Sequence, residues 1–170
     1  MEGDWTKSVK KTLKAKGKQA GFSVPQREKA FVLGGLKIQP DVVWYKNGRI
    51  NCIFEIDIFN GGYYQKTIYG SMLSGIVMAK NYKAKFVEIV QNKTQNGKKA
   101  VQITKLLKEQ FGSSLPDIVV IKVGAHSGNW KEENLHKETT KKLEEFGIIP
   151  ENCSHRKVKK PYNFIQNPKE

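Results

Sequence analysis

Cysteine is scarce in this chain, with two in 170 residues. Cys52 falls in a hydrophobic stretch and Cys153 in a polar tail, so no disulfide framework is expected. Histidine is as sparse. His126, His136 and His155 stand apart, and with Cys153 they do not make the four close ligands of a structural zinc. No apolar run approaches the ~20 residues of a membrane span, and Met1-Glu2-Gly3-Asp4 does not read as a signal peptide. The expectation is a cytoplasmic protein in a reducing compartment, with no membrane partner. Acid is the last shortage: sixteen Asp and Glu face thirty Lys and Arg, a net charge of +14 with a pI near 9.7. That balance points to a polyanionic partner, usually a nucleic acid, against the plainer alternative of a lysine-rich soluble surface.

The length suits a single domain with a real core. Trp5, Val9 and Leu13 recur at helical spacing, with Asp4 as a cap and Gly17 and Gly21 at the far end. The rest of that helix is largely lysine, six with no acid from Trp5 to Ala20. Taken singly each is a solvated residue. Together Lys7, Lys10, Lys11, Lys14 and Lys18 form a candidate phosphate-tracking surface. A short strand at 30–33 precedes a Gly34-Gly35 turn. Strands at 41–46 and 50–58 flank Asn47-Gly48, a strong hairpin signal. A helix follows over 63–80, then a strand at 84–90, a helix at 101–111 and an apolar strand at 116–123 that reads as central. Strands joined through helices imply an α/β fold, a mixed sheet with helices on both faces. Residues 1–125 read as the core, and 126–170 as an appended helix and a basic tail.

Chemistry concentrates in the hairpin. Alternate strand residues share a face, so Glu55 and Asp57 point together while Phe54 and Ile56 point oppositely. Two acids on a buried strand are costly unless a cation compensates them, and carboxylates are the ligands Mg²⁺ prefers. Pairing with surface lysines is the alternative. Asp41 raises a question of register. A two-residue Asn47-Gly48 turn pairs Lys46 with Arg49 and carries Asp41 opposite Phe54, facing away from Glu55. A slip of one, through a three-residue loop or a bulge, sets Asp41 against Glu55. It also gathers Val42, Trp44, Cys52 and Phe54 on one apolar face, with Asn51 on the side of the acids. We expect the shifted register.

Pro40-Asp41, Glu55-Ile56-Asp57 and the Gln65-Lys66-Thr67-Ile68-Tyr69 segment, in this order, resemble the PD-(D/E)XK nuclease superfamily. The family's αβββαβ order is similar to this chain from about Asp4 to Val90. The resemblance implies a restriction-endonuclease-like fold in which Asp41, Glu55 and the carbonyl of Ile56 bind Mg²⁺, with Mn²⁺ as a substitute. Gln65 and Tyr69 resemble a glutamine-x-x-x-tyrosine signature on the helix after the active-site strands, and residues four apart share a helix face. The departure is Asp57, which stands where the family usually has a lysine. Either it serves as a further metal ligand and water-orienting acceptor, or Lys66 supplies the lysine, or catalysis is lost.

The implied activity is Mg²⁺-dependent hydrolysis of DNA by an endonuclease, restriction-like, homing or Holliday-junction-resolving, with no small-molecule cofactor. A homodimer would supply two sites for two strands. The alternatives are a non-catalytic nucleic-acid-binding module of the same fold and a RecB-like exonuclease. A Cas4-type iron–sulfur cluster needs four cysteines, which this chain lacks.

Overall fold

Asn47 and Gly48 both take positive φ, 51° and 74°, the pairing that a two-residue hairpin turn demands. They join β3 (Val42–Lys46) to β4 (Arg49–Asp57), and Lys46 pairs with Arg49 across the turn. Farther on, Tyr45 pairs with Ile50 but Trp44 pairs with Cys52, which leaves Asn51 as one extra residue in β4. This bulge moves the register by one, so Val42 stands opposite Phe54 and Asp41 is carried toward Glu55. The turn and the shift therefore coexist. Val42, Trp44, Cys52 and Phe54 then join one apolar cluster, as the shifted register requires. Asn51 itself is exposed.

The computed structural model describes residues 4–57, 64–91, 95–124 and 131–151; side chains are described in these spans except at 64–69 and 95–97. Around the hairpin stand α1 (Asp4–Gln19), β1 (Phe31–Leu33), β2 (Leu36–Ile38), α2 (Tyr64–Tyr82), β5 (Lys85–Gln91), α3 (Gln95–Phe111), β6 (Ile118–Val123) and α4 (Glu132–Glu145). The main sheet runs β3-β4-β5-β6, with β3 antiparallel to β4 and the other neighbours parallel. The protein is thus α/β, a mixed four-stranded sheet between helices.

Two expectations are corrected. The strand at 30–33 does not enter this sheet; it pairs with β2 in a separate hairpin. Three-residue strands bury little, and only Phe31 and Ile38 of this pair are buried. The strand at 116–123 is at an edge rather than central. Its apolar run reflects cover on both faces, with Ile121 and Val123 in one core cluster and Ile118 in the other.

Side-chain alternation splits the core in two. On one face Val42, Trp44, Cys52, Phe54 and Ile56 meet Trp5, Val9 and Leu13 of α1 and Leu135 and Leu143 of α4. On the other, Val43, Ile53, Phe86 and Val90 meet Met72, Ile76 and Ala79 of α2 and Ala100 of α3. The helix read as an appendage contributes Leu135 and Leu143 to the first cluster, and Ile148 and Ile149 after it pack there too. Thr12 Oγ1 lies 3.1 Å from His136 Nδ1, and Gly124 N–H donates to Glu138 at 2.9 Å, so polar contacts also seat α4. The tail beyond Glu151, with Lys157, Lys159, Lys160, His155 and Cys153, lies outside the described residues, as does His126. Among the described residues no helix is long and apolar enough to cross a membrane.

α2 sits close on the sheet because Gly75 has no side chain. A Cβ there would come within 2.1 Å of the Phe86 ring. That approach brings the first half of α2 over the C-terminal ends of β4 and β5, where the acids lie.

Candidate active site at a buried carboxyl cluster

Parity along β4 places Ile53, Glu55 and Asp57 on the α2 side of the sheet, with Ile53 in the cluster that α2 covers. The parallel register sets Glu55 beside Glu88 of β5. Glu88 lies between Phe86 and Val90, which belong to that cluster, and it faces the same layer. Glu55 and Asp57 are buried, and Glu88 is 0% exposed. Among the described residues neither carboxylate oxygen of Glu88 accepts from an N–H or O–H donor, and the group beside it is the carboxyl of Asp57.

Electrostatics follow from the crowding. Burial pushes the Glu88 carboxyl well above its ordinary range, and Asp57, Glu55 and Asp41 push it further. Burial raises Glu55 as well, to about 9, with Asp41 and Asp57 adding repulsion. Asp57 accepts a hydrogen bond from Ser71 Oγ of α2. Asp41 enters from just before β3. Its Oδ2 accepts the Ile56 N–H at 2.8 Å, which locks it to β4 at the level of the acids. Its pKa is raised by burial, against the lowering influence of Lys10.

Lys10 is the cation that the described residues bring to this cluster. Its ammonium lies 2.7 Å from Asp41 and 2.5 Å from Glu28, and its side chain is only 12% exposed. Gln39 donates to the other oxygen of Glu28 at 3.1 Å, and the Lys10 contact holds Glu28 below its ordinary pKa. The lysine face read from α1 therefore divides. Lys10 turns inward to the acids. Lys14 donates to the carbonyl of Gln26 at 2.8 Å, and Lys16 is buried. Lys7, Lys11 and Lys18 are exposed, with Lys7 near Asp4 at 3.7 Å and Lys11 on Glu132 at 2.9 Å.

Of the residues singled out in the sequence, Asp41, Glu55 and Asp57 are brought together, and the backbone of Ile56 joins them through its N–H. Gln65, Lys66 and Tyr69 belong to α2, but their side chains lie outside the described residues. Two members were missed. Glu88 had a signal, a lone acid amid the apolar residues Phe86 to Val90 of a strand covered on both faces. Lys10 had none, because the spacing of α1 does not say which lysine turns to the sheet.

Carboxylate oxygens suit a hard divalent cation, and an acid with no donor at either oxygen is the group such an ion would satisfy. Even so, no three His, Cys, Asp or Glu side chains among the described residues are placed to hold a metal ion. Comparison with protein-family models, curated proteins and solved structures returns no match to this chain.

Proposed function

We propose that the chain is a Mg²⁺-dependent nuclease acting on DNA, with Asp41, Glu55, Asp57 and Glu88 as its acidic centre and a restriction-endonuclease-like arrangement of the core. The observation that carries this reading is Glu88, fully enclosed, without a hydrogen-bond donor among the described residues, and facing three more acids. Packing four carboxyls against an apolar layer costs stability without serving the fold, since apolar residues would pack there better. A function that needs concentrated negative charge explains their presence. Asp41, Glu55, Asp57 and Glu88 are the residues that would hold the ion, once they shift from the present arrangement in which no three are placed to ligate it; when bound, it would supply Lewis-acid chemistry at the phosphate.

The chain's own groups do the rest. Ser71 orients Asp57 through its hydroxyl, and the Ile56 amide fixes Asp41. Lys10 supplies the ammonium that the family resemblance lacks at Asp57. It pairs with Asp41 in the structure; were that carboxylate to turn toward Glu55, the ammonium would be left as a positive group for the phosphate. Lys66 is the other lysine proposed for this role. Gln65 and Tyr69 are proposed to contact the phosphate from α2.

The second reading, a binding module without catalysis, is favoured by the same ion pair, because Lys10 already occupies Asp41. Incubation of linear duplex, single-stranded and four-way-junction DNA with Mg²⁺, Mn²⁺ or EDTA decides between them. The nuclease reading expects cutting that EDTA stops and that Asp41→Ala or Glu55→Ala abolishes without loss of DNA binding. Absence of cutting on every substrate leaves the binding module.

A further inference from the structure

The sheet has a second distinctive end. At the side where the parallel strands begin, two adjoining hollows of about 720 and 490 Å³ share Asn51 and Lys83. The β3–β4 turn puts Lys46 and Arg49 side by side on one wall, as partners across the hairpin. The end of α2 and the turn into β5 put Lys80 and Lys83 on the other. All four side chains are exposed, and none makes an ion pair among the described residues. Asp117, the acid in the lining, is engaged by Lys85 at 2.9 Å.

We propose that this concave surface is a second nucleic-acid contact, in which Lys46, Arg49, Lys80 and Lys83 grip successive backbone phosphates. Four unneutralised cations on a concave wall concentrate positive potential more than the same charges on a convex helix. The exposed lysines of α1 make the comparison concrete, since Lys7 and Lys11 already have acidic neighbours. The lining is otherwise suited to a polynucleotide. Asn51 and Asn81 offer amide donors and acceptors, and the ring of Tyr82 is 36% exposed beside them.

The two ends lie a fixed distance apart. Cys52 pairs with Lys85 near the basic end and Asp57 pairs with Val90 near the acids, a span of five residues or about 17 Å at ~3.3 Å per residue. At ~3.4 Å per nucleotide along one strand of a duplex, that is about five steps. Resting on the nuclease reading only for this step, the groove assigns the substrate a flank of about five nucleotides beyond the reacting phosphate.

The test is binding in EDTA, so that it does not depend on cleavage. Fluorescence anisotropy of a labelled duplex of about 30 base pairs is followed between ~50 and ~200 mM salt for the parent and for the Lys46→Gln/Arg49→Gln/Lys80→Gln/Lys83→Gln variant. Thermal unfolding confirms that the variant is folded. The expected result is an affinity lower by about 10- to 100-fold and a log–log salt slope less steep by about 3 to 4, near 0.9 per phosphate contact. The variant Lys7→Gln/Lys11→Gln/Lys18→Gln is expected to change the slope less. Loss of binding in the groove variant supports the proposal whether or not the parent cuts DNA. Unchanged affinity and slope overturn it even if the parent is an active nuclease. Retained DNA binding with loss of heparin binding assigns the groove to another polyanion and overturns it as well.

Discussion

Glu55 of β4 and Glu88 of β5 stand at the same level of adjacent parallel strands, both buried and both pushed toward the neutral form. Two carboxyls side by side in an apolar layer cannot both ionise without a compensating cation. This pairing converts into measurements.

Glu88→Gln keeps the shape and removes the capacity to ionise. In EDTA near neutral pH the variant is expected to be more stable than the parent, by on the order of 1–3 kcal/mol, because the amide escapes the penalty of ~1.4 kcal/mol per pH unit for keeping that carboxyl protonated above its ordinary pKa. Urea denaturation reads the difference. Mg²⁺ should stabilise the parent and have little effect on the variant. A variant less stable than the parent in EDTA would count against Glu88 as an uncompensated acid.

The pH dependence follows from Glu55, raised from 4.5 to about 9. Between those values the folded chain binds a proton that the unfolded chain has released, so stability falls as pH rises. Glu88 is shifted the same way. In EDTA the urea midpoint is therefore expected to decline from about pH 4.5 toward about 9, and Glu55→Gln should flatten that decline. A parent whose stability rises over this interval contradicts the assignment.

Lys10→Met removes the cation shared by Asp41 and Glu28. Breaking a fully buried pair costs ~3–5 kcal/mol; with Glu28 a third exposed, about 2 kcal/mol is expected here. The same change frees Asp41, so titration with Mn²⁺, followed by calorimetry or by the ion's magnetic resonance signal, should show tighter binding than in the parent. On the proposed nuclease reading, cutting should fall despite that, because the ammonium would assist at the phosphate. Weaker Mn²⁺ binding would mean that Lys10 positions Asp41 for the ion rather than competing with it.

Gly75→Ala tests how α2 reaches the acids. The added methyl would meet the Phe86 ring at 2.1 Å, and overpacking of this kind costs about 1–3 kcal/mol. A lower Tm is expected, and on the proposed nuclease reading cutting should fall with it, because α2 carries Ser71, which hydrogen-bonds Asp57, and the proposed Gln65 and Tyr69. An unchanged Tm would mean that the helix moves away at no cost.

Much of this arrangement is legible in the residues, and what is not has physical causes. Asn47-Gly48 announces its turn because few residues accept positive φ twice in succession. Apolar parity in β3 and β4 is enough to demand a shifted register, because the opposite choice would turn Trp44 away from its core. Which parallel strand neighbours which is a different matter. Glu88 meets Glu55 only through a crossover and a register that no local pattern encodes. Lys10 differs from Lys7 and Lys11 only in the direction in which α1 is rolled onto the sheet. The β1–β2 hairpin was unreadable as a separate unit, because a three-residue strand looks the same in any sheet.

Asn51 has a reach well beyond its own exposed position. Each residue of β4 after it inherits its side of the sheet from that one extra unit of chain. Deleting it would leave every acid in the sequence and yet turn Asp41 and Glu55 to opposite faces, or else force the apolar residues outward. The meeting of the acids at one end of the molecule is thus written as a parity at the other, and an insertion or deletion between Ile50 and Cys52 is an on–off change made without altering any acidic side chain.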